Sequence, residues 1–164
     1  MRERPPFRGD HVGSLLRPAR LHRARADHAA GRMSDEGLRT VEDGAIRDAV
    51  RMQESVGLPA ATDGEFRRAS WHMDFIYQLG GVRKVQDHLS VKFHSDDGDI
   101  EFTPSAARVT ERISLREPIF ADAFRFLAET ASAAQTPKLT IPSPSMVHYR
   151  GGRAAIDELS LIHI

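Results

Sequence analysis

Cysteine is absent from this sequence of 164 residues. Within these residues, disulfides, Cys-ligated zinc, iron–sulfur clusters and a cysteine nucleophile are therefore excluded. The sequence also lacks any apolar run near the ~20 residues that span a bilayer. Its start, MRERPPFRGD, has no apolar stretch after the charges and so does not resemble a secretory signal. We therefore expect a cytoplasmic protein that has no membrane partner.

The sequence also carries no net charge, because 23 basic residues balance 23 acidic ones. Without a basic excess, a nucleic-acid partner is not expected. The balance hides an asymmetry: residues 1–32 hold eight arginines against three acids, and residues 33–66 hold three arginines against eight acids. These two segments either pair with each other or form two solvated helix faces, and we favour the solvated faces.

Two helices are predicted in the first third of the chain. Pro18 suits the first position of a helix that runs to about Ala30 and stops at Gly31. Ser34 can cap the second helix, and Gly57 supplies a left-handed stop. Apolar residues recur in the second helix at steps of three and four, which predicts one buried face: Leu38, Val41, Ala45, Ala49, Met52 and Val56.

Strands and helices alternate along the rest of the chain. The predicted elements are an extended segment at 7–16, a strand at 59–63, a helix at 70–79 capped by Ser70, a hairpin of 89–94 with 100–102 around Asp97-Gly98, a third strand at 109–113, a helix from Pro118, and a strand at 138–142. This alternation predicts an α/β fold with a parallel βαβ core, into which the β-hairpin is inserted.

Three loops follow the predicted core strands, at residues 11–16, 62–68 and 142–149. In parallel α/β folds the functional residues concentrate in such loops. Gly13-Ser14 either presents exposed N–H groups to a carboxylate or phosphate, or is an ordinary turn. The third loop offers hydroxyl and imidazole donors, but it lacks the G-x-S-x-G elbow of a serine nucleophile: Ser143, Ser145, His148 and Tyr149.

The second loop places two carboxylates around a glycine, in Asp63-Gly64-Glu65. Glu65 either accepts hydrogen bonds from a substrate ammonium or acts as a base. The alternative is a structural ion pair with Arg67 or Arg68. The histidines show no spacing typical of zinc ligands, and we interpret them as solvent-facing.

Four segments in register resemble one family: DHVGSLLRP (10–18), ATDGEFRR (61–68), WHMDF (71–75) and KLTIPSPSMVHYRG (138–151). The chain resembles the N-terminal part of the cobalamin-independent methionine synthase-like proteins, and more narrowly their short single-barrel members, which are similar to the catalytic half of the full enzyme. This resemblance implies a (β/α)8 TIM-type barrel with zinc near the strand ends. The implied reaction transfers a methyl group from a methyltetrahydrofolate polyglutamate to homocysteine, whose thiol binds zinc as thiolate.

The resemblance also implies roles for individual residues. Gly13 and Ser14 match the pair that holds the homocysteine carboxylate, and Glu65 matches the acid that binds its amino group. Further residues would line the same mouth more weakly: His11, Asp63, Trp71, His72, Ser143 and Ser145. The family's zinc ligands are a His-x-Cys pair, a Glu and another Cys, so we predict no metal ligand and no catalytic residue within this chain.

A complete (β/α)8 barrel typically needs ~250 residues, so we expect residues 1–158 to be the N-terminal part of a truncated barrel that is inactive alone. The hexamer LSLIHI (159–164) is what a transposon-adapter sequence encodes, and it is expected to be a non-native tail. Two alternatives stay open. One is a small α/β module that binds an amino acid or anion without catalysis, and the other is a relative that alkylates a different thiol.

Overall fold

The computed structural model describes residues 9–86, 91–93, 100–102 and 105–147. It divides into two compact units. We call residues 9–71 with Phe120–Thr140 the helical unit, and the described part of 72–119 and 141–147 the ribbon unit. Several sequence predictions lie outside the described residues: the Asp97-Gly98 turn, His88, His94, His148, Tyr149 and the 159–164 tail.

The helical unit opens with the two predicted helices. Helix α1 spans Ala19–Ala29 and follows Pro18, and α2 spans Asp35–Ser55. The Ser34 hydroxyl accepts a hydrogen bond from the backbone N–H of Gly37 at 3.1 Å, which confirms the predicted cap. Both predicted stops are also confirmed, because Gly31 and Gly57 have φ of 71° and 78°.

The buried face of α2 differs from the predicted one. Met52 and Val56 are 44% and 66% exposed, whereas Gln53 is fully buried. The spacing of apolar residues along the sequence defines the buried face of a helix only approximately, and packing against the neighbouring elements decides it. The core of this unit contains eight buried residues from both helices and the segments beyond them: Leu21, Ala45, Ile46, Ala49, Val50, Ala61, Phe66 and Leu127.

The opposite charges of the two segments are paired across α1 and α2. Arg25 lies 3.3 Å from Glu42, with both side chains largely buried, and Arg20 binds Asp48 at the surface. The hydrogen bond from Arg20 lowers the pKa of Asp48 below its usual value. The preference for two separately solvated helix faces was therefore wrong for these pairs.

Two short parallel strands complete the helical unit. Strand β1 spans Ala60–Ala61 and pairs with β6, Thr136–Pro137. The pairing continues through Thr136 N–H to the Pro59 carbonyl and Lys138 N–H to the Ala61 carbonyl, both at 2.8 Å. Helix α4, Ala121–Thr130, precedes β6. A mixed α/β fold with a parallel pair is confirmed, and its assignment to the N-terminal portion of a (β/α)8 barrel stays a prediction.

These elements are shorter than predicted, and some are shifted along the chain. Strand β6 lies before the predicted 138–142, and no strand is assigned to residues 9–17. Helix α4 begins after Phe120, whose φ of 62° is left-handed, and not at Pro118. The segment 9–17 nevertheless contacts the turn after β1, because Leu15 N–H donates to the Gly64 carbonyl at 3.1 Å.

The ribbon unit contains antiparallel pairs. Strand β2, Gly80–Gln86, pairs with β5, Ser105–Ser114, and β3, Val91–Phe93, pairs with β4, Ile100–Phe102. The predicted pairing of the two hairpin strands is confirmed, and the predicted third strand lies within β5 but pairs with β2 and not with the hairpin. The partner of the third strand was not predicted, because Gly80-Gly81 reads as a helix end.

Helix α3 of this unit spans only Met73–Ile76 and is capped at His72. The predicted helix over 70–79 with Ser70 as its cap was therefore wrong in length and start. Across all described residues, no helix combines the length and apolar character needed to cross a membrane.

A fully buried glutamine joins α2 to the chain after β1. The side-chain amide of Gln53 donates to the Thr62 carbonyl at 2.9 Å, and its oxygen accepts from Thr62 N–H at 3.0 Å. The amide therefore satisfies the Thr62 backbone as a neighbouring strand would. Gln53 in this way fixes the point from which the 62–68 turn begins.

We predict that Gln53→Leu lowers the free energy of unfolding by roughly 2–4 kcal/mol, because it leaves the buried N–H and C=O of Thr62 without partners. Urea denaturation followed by circular dichroism measures this change. Gln78→Leu is the matched control: Gln78 is exposed, and the loss there should stay within about 1 kcal/mol. Equal losses in the two variants would contradict the assigned role of Gln53.

Candidate functional site

The 62–68 turn has an unusual backbone. Gly64 and Glu65 are both left-handed, with φ of 65° and 58°. For a residue with a side chain this conformation costs roughly 1–2 kcal/mol, so other contacts must hold it. Asp63 supplies one, since its carboxylate accepts from Glu65 N–H at 2.8 Å. Such enforced backbone strain is concentrated at functional sites.

Two arginines of the N-terminal region bind the outer side of this turn. Arg17 donates to the carbonyls of Glu65 and Arg68 at 3.0 and 2.7 Å. Arg25 of α1 donates to the carbonyls of Phe66 and Arg68. Guanidinium groups therefore bind the carbonyls of this turn and help to hold Glu65, whose carbonyl also accepts from Arg68 N–H at 3.1 Å.

The Glu65 carboxylate lies at the centre of the site and is only 6% exposed. One of its oxygens accepts from the Ser14 hydroxyl, and the other accepts from the Thr140 hydroxyl at 2.6 Å. The Arg68 guanidinium lies 3.6 Å from the Thr140-bound oxygen. Two hydroxyl donors and a nearby cation compensate the burial of this charge.

Gly13 lies against the same carboxylate. A Cβ atom at Gly13 would lie 2.6 Å from the Thr140 methyl and 2.9 Å from a Glu65 oxygen. The Gly13 carbonyl accepts from the Thr62 hydroxyl at 2.8 Å, and the His11 Nε2–H donates to it at 2.9 Å. The backbone at this position must therefore be glycine for the site to close.

Ser14 forms the solvent-facing side of the site. The residue is exposed, whereas Gly13 is buried. Among the residues that the structure describes, no acceptor binds the Ser14 backbone N–H. The predicted Gly-Ser pair and Glu65 are thus brought together, with a donor near the surface and an acceptor below it.

The alternative predicted for Glu65, a structural ion pair with Arg67 or Arg68, is present for Arg68 only. Arg67 binds Asp43 at 2.5 Å and lies 3.4 Å from Glu42, so it does not pair with Glu65. Arg68 does pair with Glu65, but without a direct hydrogen bond. The carboxylate therefore keeps acceptor capacity beyond its two hydroxyl donors.

Lys138 fastens the N-terminal segment to the chain after β6. It donates to the Asp10 carboxylate at 2.9 Å and to the His11 carbonyl. The hydrogen bond from Lys138, with that from His11 N–H, lowers the pKa of Asp10. A separate cavity of about 410 Å³ lies between the N-terminal segment, the start of β1 and β6, and Glu65 does not line it. Its lining residues are Gly9, Asp10, Pro59, Ala60, Thr136, Pro137 and Lys138.

The remaining predicted residues are less closely tied to this site. Trp71 is 48% exposed, and its carbonyl accepts from Arg68 at 3.2 Å. His72, Ser143 and Ser145 belong to the ribbon unit, so their part in the site stays a prediction. There, His72 is buried, so the solvent-facing interpretation was wrong for this histidine. The exposed Ser143 and Ser145 share a hydrogen bond at 2.9 Å.

Several residues of the site were missed in the sequence. Thr140 lies inside a segment used for the resemblance, yet a single threonine after a strand carries no distinctive pattern. Gln53 offers a usable signal, because it is a polar residue four positions after Ala49 on a mostly apolar face. Arg17 resembles any exposed arginine until its carbonyl partners are known.

No protein-family model matches this sequence. It is 41% identical over 150 residues to the uncharacterized protein YxjG of Bacillus subtilis, covering 92% of this chain and 38% of that protein. It is 31% identical over 133 residues to a protein of Sulfolobus acidocaldarius named methionine synthase, covering 81% of this chain and 37% of that one.

A solved structure from Listeria monocytogenes, described as a putative vitamin-B12 independent methionine synthase, matches with a TM-score of 0.69 and 36% identity. The match covers 88% of this chain and 39% of that one. This chain is a relative of the cobalamin-independent methionine synthases. It spans less than two fifths of the length of these methionine synthase-like relatives.

We predict that Gly13→Ala destabilises this methionine synthase relative by roughly 1–3 kcal/mol, because the added methyl overlaps Thr140 and Glu65. Thermal unfolding measures the change. Gly44→Ala is the matched control, since nothing lies within 4 Å of a Cβ there and Gly44 is inside α2. That substitution should stabilise the protein by about 0.5–1 kcal/mol. Effects of the same sign at both positions would argue against close packing at Gly13.

Proposed function

We propose that this chain forms the amino-acid-binding part of a methyltransferase of the methionine synthase type. The observation that carries the proposal is the buried Glu65 carboxylate, which accepts a hydrogen bond from the exposed Ser14. Gly13, the residue before Ser14, packs closely against the same carboxylate. A free amino acid carries a cation and an anion on one carbon, and a carboxylate next to a backbone donor complements both.

In this proposal Glu65 accepts hydrogen bonds from the substrate ammonium, and Gly13-Ser14 binds the substrate carboxylate. Homocysteine is the proposed amino acid, and a methyltetrahydrofolate is the proposed methyl donor, as the methionine synthase relatives suggest. Asp63 and His11 support the site through Glu65 N–H and the Gly13 carbonyl. Trp71, His72, Ser143 and Ser145 are proposed to line the mouth.

Zinc is the cofactor that the resemblance implies, and the residues present do not fit it. The described part of the chain holds no group of three or more His, Asp or Glu side chains arranged for a metal ion, and the sequence contains no cysteine. We therefore assign no zinc ligand here. The length of the relatives and the parallel pair β1–β6 support the further proposal that residues 1–158 contribute to a (β/α)8 barrel.

A second candidate is a module that binds an amino acid without catalysis. It is favoured by the composition of the site, where the side chains around Glu65 are hydroxyls and a guanidinium that suit binding. Because residues 1–158 are expected to be inactive alone, the two are distinguished in a full-length gene product that contains them, by formation of methionine from homocysteine and methyltetrahydrofolate triglutamate, detected by mass spectrometry. Methionine production supports the methyltransferase, and binding without production supports the module.

We predict that Glu65→Gln raises the Kd for L-homocysteine roughly 10- to 100-fold, because a charged hydrogen bond is worth roughly 1.5–3 kcal/mol. Isothermal titration calorimetry measures the Kd. The same titration with 4-mercaptobutyrate, which lacks the amino group, should show weak binding that Glu65→Gln leaves unchanged.

Glu36→Gln is the control variant, since Glu36 is an exposed glutamate in the first turn of α2. It should bind L-homocysteine as the parent chain does. The proposal fails if the parent chain binds L-homocysteine and 4-mercaptobutyrate equally well. A relative that alkylates a thiol without an amino group would show that result.

A further inference from the structure

We infer that Thr140 is a positioning residue for the amino-acid site: its hydroxyl orients the Glu65 carboxylate toward the ligand ammonium. The inference rests on the proposed function and assigns a residue that it did not include. Thr140 follows β6 and lies 75 residues from Glu65 in the sequence. It contacts three parts of the site, and each contact has a separate physical role.

The first contact is the hydrogen bond at 2.6 Å between the Thr140 hydroxyl and one Glu65 oxygen. The carboxylate only accepts, so Thr140 is the donor. Ser14 donates to the other oxygen. With one donor on each oxygen, the plane of the carboxylate is fixed, and the remaining lone pairs point in set directions.

The second contact is steric. The Thr140 methyl would lie 2.6 Å from a Cβ at Gly13. The methyl therefore fills the space that the missing side chain leaves open. The hydroxyl oxygen lies 2.8 Å from the same Cβ position, so both groups of Thr140 pack against Gly13, whereas only the hydroxyl donates to Glu65. Serine keeps the hydroxyl, and valine keeps only the methyl groups.

The third contact fixes Thr140 itself. Its carbonyl accepts from the Arg68 guanidinium at 2.8 Å. Arg68 stacks on the Phe120 ring at 4.3 Å and donates to the Trp71 carbonyl at 3.2 Å. One cation therefore holds the backbone of Thr140 and lies 3.6 Å from the carboxylate that Thr140 binds. The orientation of Glu65 is set by this linked arrangement.

The position of the bound ligand's ammonium group therefore depends on Thr140, although Thr140 need not touch the ligand. Without the Thr140 hydroxyl, the Glu65 carboxylate can rotate about its last side-chain bond, and Arg68 becomes its nearest donor on that side. The ligand ammonium then competes with Arg68 for the same oxygen. Binding of an amino acid should weaken, whereas binding of an analogue without the amino group should not change.

The test compares Thr140→Val and Thr140→Ser by calorimetric titration of the full chain with L-homocysteine and 4-mercaptobutyrate. We expect Thr140→Val to raise the Kd for L-homocysteine about tenfold, or about 1.4 kcal/mol, and to leave 4-mercaptobutyrate unchanged. Thr140→Ser should bind L-homocysteine within about threefold of the parent. If the valine variant does not fold, Thr140→Ala against Thr140→Ser isolates the hydroxyl.

A double-mutant cycle separates positioning from general damage. In the Glu65→Gln background, Thr140→Val should add little further loss, because the two residues act through one contact. Additive losses would overturn the inference. So would parent-like L-homocysteine binding by the valine variant, a result that leaves the proposed function intact.

A measurement without ligand covers the case in which the parent chain binds no amino acid and the proposed function fails. The 13C resonance of the Glu65 carboxyl carbon should move in Thr140→Val and stay near the parent position in Thr140→Ser. Matching spectra for the parent and Thr140→Val would show that the hydroxyl does not set the state of Glu65.

Discussion

Burial of the Glu65 carboxylate is the constraint on which the helical unit depends. A buried charge is tolerated only with compensating partners, and here the two hydroxyl donors come from distant parts of the sequence. Ser14 lies 51 residues before Glu65, and Thr140 lies 75 residues after it. The requirement to satisfy one carboxylate therefore joins the N-terminal segment, the turn after β1 and the chain after β6.

The left-handed backbone at Gly64-Glu65 depends on a second set of contacts. Asp63 fixes the Glu65 N–H, and Arg17 fixes the Glu65 carbonyl. Arg25 of α1 adds contacts to the neighbouring carbonyls of Phe66 and Arg68. The charge asymmetry of the first 66 residues thus reflects the stabilisation of a strained turn as well as the pairing of two helices.

Sequence patterns predicted the features that local chemistry determines. The Ser34 cap, the glycine stops and the paired hairpin strands were of this kind, whereas the grouping of Gly13, Ser14 and Glu65 as one site came from the family resemblance. The buried face of α2 and the start of α4 were not predictable, because tertiary packing chooses among nearly equivalent local solutions. Thr140 and β2 were missed for a related reason: their roles exist only through partners that are distant in sequence.

In the proposed amino-acid site, the contrast in exposure between Ser14 and Glu65 would treat the two ends of a ligand differently. A zwitterion that reaches this site gives up the water around its ammonium, since Glu65 is only 6% exposed. Its carboxylate keeps much of its water at the exposed Ser14. Dehydration would therefore be concentrated on the nitrogen end of the molecule. Blocking the amino group, as in a peptide, would then exclude a ligand even when its acid group is unchanged.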